Sequence, residues 1–579
     1  MVHDSVAIPP RSEGGGIRVK SRFRSFQLAL LSVMVVVSLI LTGCGTPEPT
    51  QVQEATQAPE ATSAPTATPV PELGRDPKTL IVGIYGNPSD FDPASNNEQL
   101  GNLILDATSE GLVRAKAGNL EAFEPQLAER WEHNDDYTVW TFYLRQDARF
   151  HDGTPVDAEA VKASFTRLVD SGLGMSFVLS MFIGDPGSQM VVKDAYTLEF
   201  NFESPTPLLA KALSSGYGCY VVSPKAVQEH DKDGDLAHEW LQNNEAGSGP
   251  YTLTELSPNQ QAVLTRFDDW WGWEEGGWYF DKIILKIIPE EASRRSLIET
   301  GDIDVALDFG VENLEAMQKN ADLVVELSEG LALQYIVLGD YGPLADPRVR
   351  QAISYAFDYE GYVNGIWKGL APRAKGPFPY KLQCHDPDVF LYDTDLEKAK
   401  QLLEEAGVEE GLEIRYMTSG EASEVGQILQ AQLAQIGVTL KIEQREISSY
   451  IGTFYGNVEW PERPEIMAYT WWPDYNDPTD WAWVLFHTYA SGSSGANAGF
   501  YSNERADEIM DEALGVLDEE KLCEMYQEFQ NIVTQQDPAW IPLVEPPDVA
   551  VLRQGIDGYQ NHPLYRGTFD FDRMSRSGY

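Results

Sequence analysis

Residues 127–168 are bound to fold as strand, then turn, then helix, because their hydrophobic period changes in mid-run. Between Val139 and Leu144 the residues alternate: Trp140, Phe142 and Leu144 fall on one face, Val139, Thr141 and Tyr143 on the other. A half-buried strand has that period of two. Asp152-Gly153 is a turn pair, since glycine accepts positive φ without steric cost. Asp157 is placed to cap a helix, in which Val161, Phe165 and Leu168 recur on one side at helical spacing.

The chain of 579 residues is long enough for two or three domains with sizeable cores. Its net charge of −48 argues against nucleic-acid binding, which needs a basic surface. That charge identifies no ligand; a soluble, self-repelling surface accounts for it. Four Cys with no CxxC and no His/Cys cluster argue against a structural zinc site.

The N-terminus reads as an export signal. Arg11, Arg18, Lys20, Arg22 and Arg24 precede an apolar run at 28–41, which ends in Leu41-Thr42-Gly43-Cys44. The run is short for a spanning helix. A Cys after small residues resembles the bacterial lipobox, which makes Cys44 the expected lipidated N-terminus; a plain membrane anchor is the alternative. The first sixteen residues are long and irregular for such a signal, which leaves the translation start open. Residues 44–75 are rich in Thr, Pro, Glu, Ala and Gln, without an apolar period, and predict a disordered tether.

Folding is expected from about Asp76. Strands are predicted at 79–84, 196–202, from 251, at 261–266 and at 280–288, and helices at 102–110 and 290–299, the latter stopping at Gly301. In the second half, Asp346-Pro347 is an N-cap followed by proline at the first helical position, and Val349, Ala352, Ile353, Ala356 and Phe357 form the buried stripe. A helix at 395–406 ends at Gly407. Strand 412–416, helix 425–436 and strand 438–442 form an α/β unit. A helical stretch at 505–536 breaks near Gly515, and 540–544 is read as the terminal strand.

Several blocks occur in a telling order: Trp140-Thr-Phe-Tyr-Leu-Arg145 with Phe150-His-Asp-Gly-Thr-Pro155, Gly247-Ser-Gly-Pro-Tyr251, Trp271-Gly272, and Asp281-Lys282-Ile283 with Ile287-Ile-Pro289. Gly301-Asp-Ile-Asp304, Asp346-Pro-Arg-Val-Arg-Gln-Ala352, Asp477-Pro478, Tyr501-Ser-Asn503 and Ile541-Pro542-Leu543 follow. With them the chain, from about Thr79 to Tyr559, resembles the extracellular solute-binding proteins of family 5, the peptide- and nickel-binding components of ABC importers. It departs from their pattern in loops: Trp273–Tyr279 is longer than usual, and Cys384-His385 has an unusual context. The resemblance implies an α/β, periplasmic-binding-protein-like fold of two lobes (type II, cluster C) with a third, inserted subdomain. The implied division is a lipoprotein signal peptide at 1–43, the tether at 44–75, the first lobe at 76–111 and 247–332, the inserted subdomain at 112–246, the second lobe at 333–544, and a return to the first lobe at 545–579. Strand pairs crossing between the lobes would absorb a hinge rotation.

The same resemblance implies a ligand site. In the family's peptide binders, an acidic residue at the position matching Asp474 pairs with the ligand's α-ammonium, an interaction that a closed, low-dielectric cleft strengthens. Asp474 as a mere turn residue is the alternative. Trp471, Trp472 and Tyr475 flank it and would line a side-chain pocket, stack on a sugar, or belong to the core. Arg373 and Lys375, with Lys381, lie in or beside a Pro-rich loop at 372–379 and are the candidate partners of a peptide carboxylate.

His151-Asp152 is read as part of the turn rather than as a metal or catalytic pair. No HExxH occurs, and Gly492-Ser493-Ser494-Gly495 has the wrong spacing for a nucleophile elbow. Neither a catalytic residue nor a metal ligand nor a cofactor is expected. No Walker A sequence occurs, so the transporter's ATPase is expected on a separate chain, with membrane permease subunits as further partners and the binding protein a monomer. Cys219, Cys384 and Cys523 allow one disulfide and one free thiol, in a pairing left open. The expected function is therefore binding and delivery of a peptide, with an oligosaccharide or a nickel complex as alternative ligands and a secreted hydrolase as a distant third reading.

Overall fold

The alternating run becomes a strand at Val139–Leu144 inside a four-stranded antiparallel sheet. Its neighbours are Ala128–His133 and Thr197–Asn201, and Met190–Asp194 lies beyond. The structure is a computed structural model that describes residues 76–577 apart from 275, 276, 278, 421 and 422. Trp140, Phe142 and Leu144 are buried, while Val139, Thr141 and Tyr143 are half-buried. The helix Ala158–Ser171 starts where the Asp157 side chain accepts the Ala160 N–H, 2.9 Å away. It packs Val161, Phe165 and Leu168 into one core with Phe142, Leu198 and Phe200. Burying a large apolar side chain contributes roughly 1.5–3 kcal/mol, so this unit is a substantial core in its own right.

Two larger sheets hold the rest. A seven-stranded sheet runs Leu323–Ser328, Asp548–Arg553, Val305–Leu307, Thr79–Ile84, Lys282–Ile287, Gln261–Arg266, Tyr251–Ser257. Its parallel pairings are those of Thr79–Ile84 with Lys282–Ile287 and with Val305–Leu307. A five-stranded sheet runs Thr439–Gln444, Glu413–Thr418, Ile466–Trp471, Leu333–Leu338, Trp540–Val544. The expected α/β unit is here: Glu413–Thr418 and Thr439–Gln444 are parallel, and Ser423–Ala434 is the crossover helix. The capped helix Pro347–Ala356 buries its predicted stripe against this sheet.

Trp540–Val544 is not the terminal strand. The chain continues into Asp548–Arg553, which re-enters the seven-stranded sheet. An apolar strand with turn residues after it reads as an ending; Glu545-Pro546-Pro547 is instead a crossing. A second crossing lies beside it, at residues 329–332 between Leu323–Ser328 and Leu333–Leu338. Pairing flanks both crossings, with Ser328 opposite Asp548 and Gln334 opposite Val544. The two sheets are thus joined by adjacent, short, antiparallel connections, a geometry that permits rotation of one sheet against the other.

The disulfide is Cys384–Cys523, which ties the loop after the Pro-rich segment to the helix Glu519–Asn531. Cys219 is the buried free thiol.

Three of the blocks that carried the resemblance, at 150–155, 247–251 and 271–272, meet at one joint. Gly247 and Gly249 lie against the end of the helix Gln99–Thr108, so closely that a Cβ on Gly247 would sit 2.1 Å from the Thr108 carbonyl oxygen. Glu110, 2% exposed, accepts from Ser248 Oγ (2.8 Å), Trp271 Nε1 (2.7 Å) and Trp270 Nε1 (3.2 Å). Burial outweighs these donors and pushes its carboxyl up to about 7. His151 contacts the Gly249 carbonyl through Nε2 (2.9 Å) and Glu245 through Nδ1 (2.8 Å). A carbonyl only accepts and a carboxylate accepts, so both ring nitrogens carry hydrogen and the ring is an imidazolium. Burial opposes that charge, but Glu245 prevails and raises the His151 pKa. Both nitrogens are consumed in holding the joint.

Candidate functional site

Between the two large sheets lies a cavity of about 520 Å³. It is built from the carboxyl ends of four strands. Thr79–Ile84 leads into Tyr85, Gly86 and Asn87; Val305–Leu307 into Asp308; Glu413–Thr418 into Ser419; and Ile466–Trp471 into Trp472. Side chains released there converge on one crevice, the place where open α/β sheets take ligands. Glu98, Gln99, Gln334 and Arg566 add further polar groups to its lining. Asp308 holds a left-handed φ of +60°, and the Arg294 Nη2 donates to its carbonyl at 2.6 Å.

Trp472 lines this cavity; Trp471, Asp474 and Tyr475 do not. The Trp472 indole N–H donates to Tyr217 O–H across 3.0 Å, and the Arg566 guanidinium lies 5.1 Å above the indole. The Trp471 Nε1 and Tyr475 O–H are buried without a hydrogen-bond partner among the described residues. Asp474, 7% exposed, uses its backbone N–H to bond Asp480 Oδ2 at 2.8 Å. Among the described residues no lysine or arginine pairs with its carboxylate, and burial raises its pKa. Asp480, in the first turn of the helix Pro478–Phe486, is fully buried, and its other oxygen has no partner among the described residues. Burial and the Asp474 charge both raise the Asp480 carboxyl. A helix N-terminus eases one such charge by about 1 kcal/mol, too little for two buried carboxylates.

The neighbouring Asp477 has an ordinary role. It caps the helix through Thr479 N–H and receives Lys211 Nζ at 3.0 Å. Lys211 also meets Glu121 (3.2 Å) and Gln383 (2.8 Å), and Asn476 donates to Glu121. These contacts, with Trp472–Tyr217, join the 119–217 segment to the 471–477 loop.

The structure does not bring Arg373 and Lys375 to this loop. The Pro-rich segment runs along the edge strand Trp540–Val544: Arg373 bridges Val544, and Ala374 N–H donates to the Leu543 carbonyl. That pairing sends the Arg373 guanidinium to Asp393 (2.7 Å) and the Tyr392 carbonyl, over the Tyr359 ring. Lys375 is exposed, and Lys381 pairs with Glu329 at 2.7 Å. Sequence reasoning missed Arg566. An Arg-Gly turn was its only local signal, and 94 residues separate it from Trp472 in the chain. Cys44 and the tether lie outside the described residues.

Two sheets joined by paired crossings, with a cavity at their strand ends, define a two-lobe solute-binding protein. Residues 122–493 match the sequence model of bacterial extracellular solute-binding proteins, family 5 Middle, and the chain belongs to that family. It is 29% identical over 506 residues to the probable D,D-dipeptide-binding periplasmic protein DdpA of Escherichia coli (strain K12), covering 86% of this chain and 94% of the relative. It is 27% identical over 525 residues to di/tripeptide-binding protein 2 of Pseudomonas aeruginosa (strain UCBPP-PA14), covering 86% and 95%. Among solved structures, the periplasmic binding protein DppA of Helicobacter pylori in complex with the peptide STSA superposes with a TM-score of 0.77 at 25% identity, covering 86% of this chain and 98% of that one.

Proposed function

We propose that this chain is the extracytoplasmic peptide-binding component of an ABC importer, tethered through lipid on Cys44, and that it hands its ligand to permease subunits driven by a separate ATPase. It acts by binding and closing, not by catalysis. The observation that carries this reading is Asp474: a buried carboxylate, beside a second one, with no cation paired to it among the described residues. Such a charge is strongly unfavourable unless a partner arrives, and a peptide's α-ammonium is that partner. Trp472, which lines the cavity and donates to Tyr217, covers the approach; opening the lobes exposes it, and closing seals the ammonium in a low-dielectric site. The names of the two relatives and the peptide in the Helicobacter pylori structure point to the same ligand class.

The test is equilibrium binding of free and N-acetylated peptides to the wild type and to Asp474→Asn. Losing a buried ion pair costs about 3–5 kcal/mol, so the variant should bind free peptides roughly 10²- to 4 × 10³-fold more weakly. Acetylation should cost the wild type a similar factor and the variant little. Equal binding of acetylated and free peptides by the wild type would refute the assignment. A glycan site would instead tolerate Asp474→Ala and fail on Trp472→Ala.

A further inference from the structure

Arg566 is the only positively charged residue among the described residues that line the cavity. The wall around it is neutral or acidic, with Glu98 and Asp308 as the other charged members. The side chain is held from behind. Its Nε donates to Asp548 Oδ1 at 2.8 Å, and its face lies over Trp472. Nη1 and Nη2 make no hydrogen bond to the described residues. A guanidinium fixed through Nε and free at both terminal nitrogens has one natural partner, a carboxylate received through both N–H groups.

The backbone around it is also fixed. Thr568 N–H closes a turn on the Tyr565 carbonyl (3.2 Å), with Gly567 at φ +71°. A Cβ on Gly567 would come within 1.9 Å of Gln99 Nε2, so the turn sits directly on a cavity-lining side chain. Tyr565 accepts from Ala115 N–H (2.9 Å) and donates to the Ser214 carbonyl (2.5 Å). Asp548 in turn is the first residue of the strand that re-enters the seven-stranded sheet, and its Oδ2 accepts from Asn561 Nδ2 at 3.1 Å.

We propose that Arg566 is the specificity-determining residue for the ligand's free carboxylate, which it receives on Nη1 and Nη2 while Asp548 holds Nε. This assignment rests on the peptide reading above. It replaces the Pro-rich loop as the source of the cation and puts the carboxylate contact on the C-terminal return, beside the crossing between the sheets. Asp474 and Arg566 then select a short peptide with both ends free.

The experiment offers the full chain three tripeptide libraries of the same composition, free, C-terminally amidated and N-acetylated, and measures binding by native mass spectrometry and competition. The wild type should prefer the free over the amidated library by about 10- to 100-fold. Arg566→Gln should lose that preference while still discriminating against acetylation, and Arg566→Lys should keep part of it. Thermal unfolding of each variant separates a lost contact from a lost fold. Amidation tolerated by the wild type, or a preference undiminished in Arg566→Gln, would overturn the assignment while leaving the peptide reading standing. Binding of no library at all would overturn the peptide reading and this assignment with it.

Discussion

Glu110 and Asp474 are both buried carboxylates, and they differ in what surrounds them. Glu110 has three donors and completes a joint; the Asp474 carboxylate has none among the described residues, which is why it is the proposed ligand contact. At Glu110 the folded-state pKa of about 7 stands above the ordinary 4.5. Below about 4.5 both folded and unfolded chains hold the proton. Between there and about 7 only the folded chain keeps it, so its contribution to stability falls as pH rises through that window. Glu110→Gln should therefore flatten the pH dependence of the denaturation midpoint between pH 5 and pH 8 by about 3 kcal/mol; an unchanged profile would refute the role of burial here. Asp474→Asn should raise the stability of the ligand-free protein by about 1–3 kcal/mol, because it removes an uncompensated charge, while lowering affinity. Calorimetry without ligand checks this, and a lowered melting temperature would contradict it. Asp474 was legible only through a resemblance, since nothing local distinguishes it from the capping Asp477. Glu110 was not legible at all: Trp270, Trp271 and Ser248 reach it only in the folded chain.

At the scale of elements, the strands and helices followed their periods closely. The alternation at 139–144, the stripe after Asp346 and the strand–helix–strand at 413–444 all formed where the pattern puts them. Period reveals which face is buried and not which strand is the partner. That is why Trp540–Val544 read as an ending, and why its pairing with the Pro-rich segment was not legible. The disulfide pairing was likewise beyond sequence, with three candidate cysteines and no geometry. Cys384–Cys523 closes a separation of 139 residues. The double variant Cys384→Ala/Cys523→Ala should lose about 2–4 kcal/mol in chemical denaturation, with peptide affinity little changed, since the bridge lies outside the cavity lining. A midpoint that does not move would show the bridge to be dispensable.

For the whole molecule, the acidic surface, the paired crossings and the cavity between two sheets fit a binding protein that opens and closes outside the cell. Among the described residues no helix is long and apolar enough to cross a membrane; the proposed attachment, through Cys44, lies outside them. Cys44→Ser should move the protein from the membrane to the soluble fraction on cell fractionation; continued membrane association would sink the lipid assignment. The ligand class is the central claim. It is tested most directly by mass spectrometry of what co-purifies with the natively isolated protein. The account predicts short peptides with free amino and carboxyl ends, lost when Asp474 is replaced by Asn. A sugar or a metal chelate in their place would contradict it.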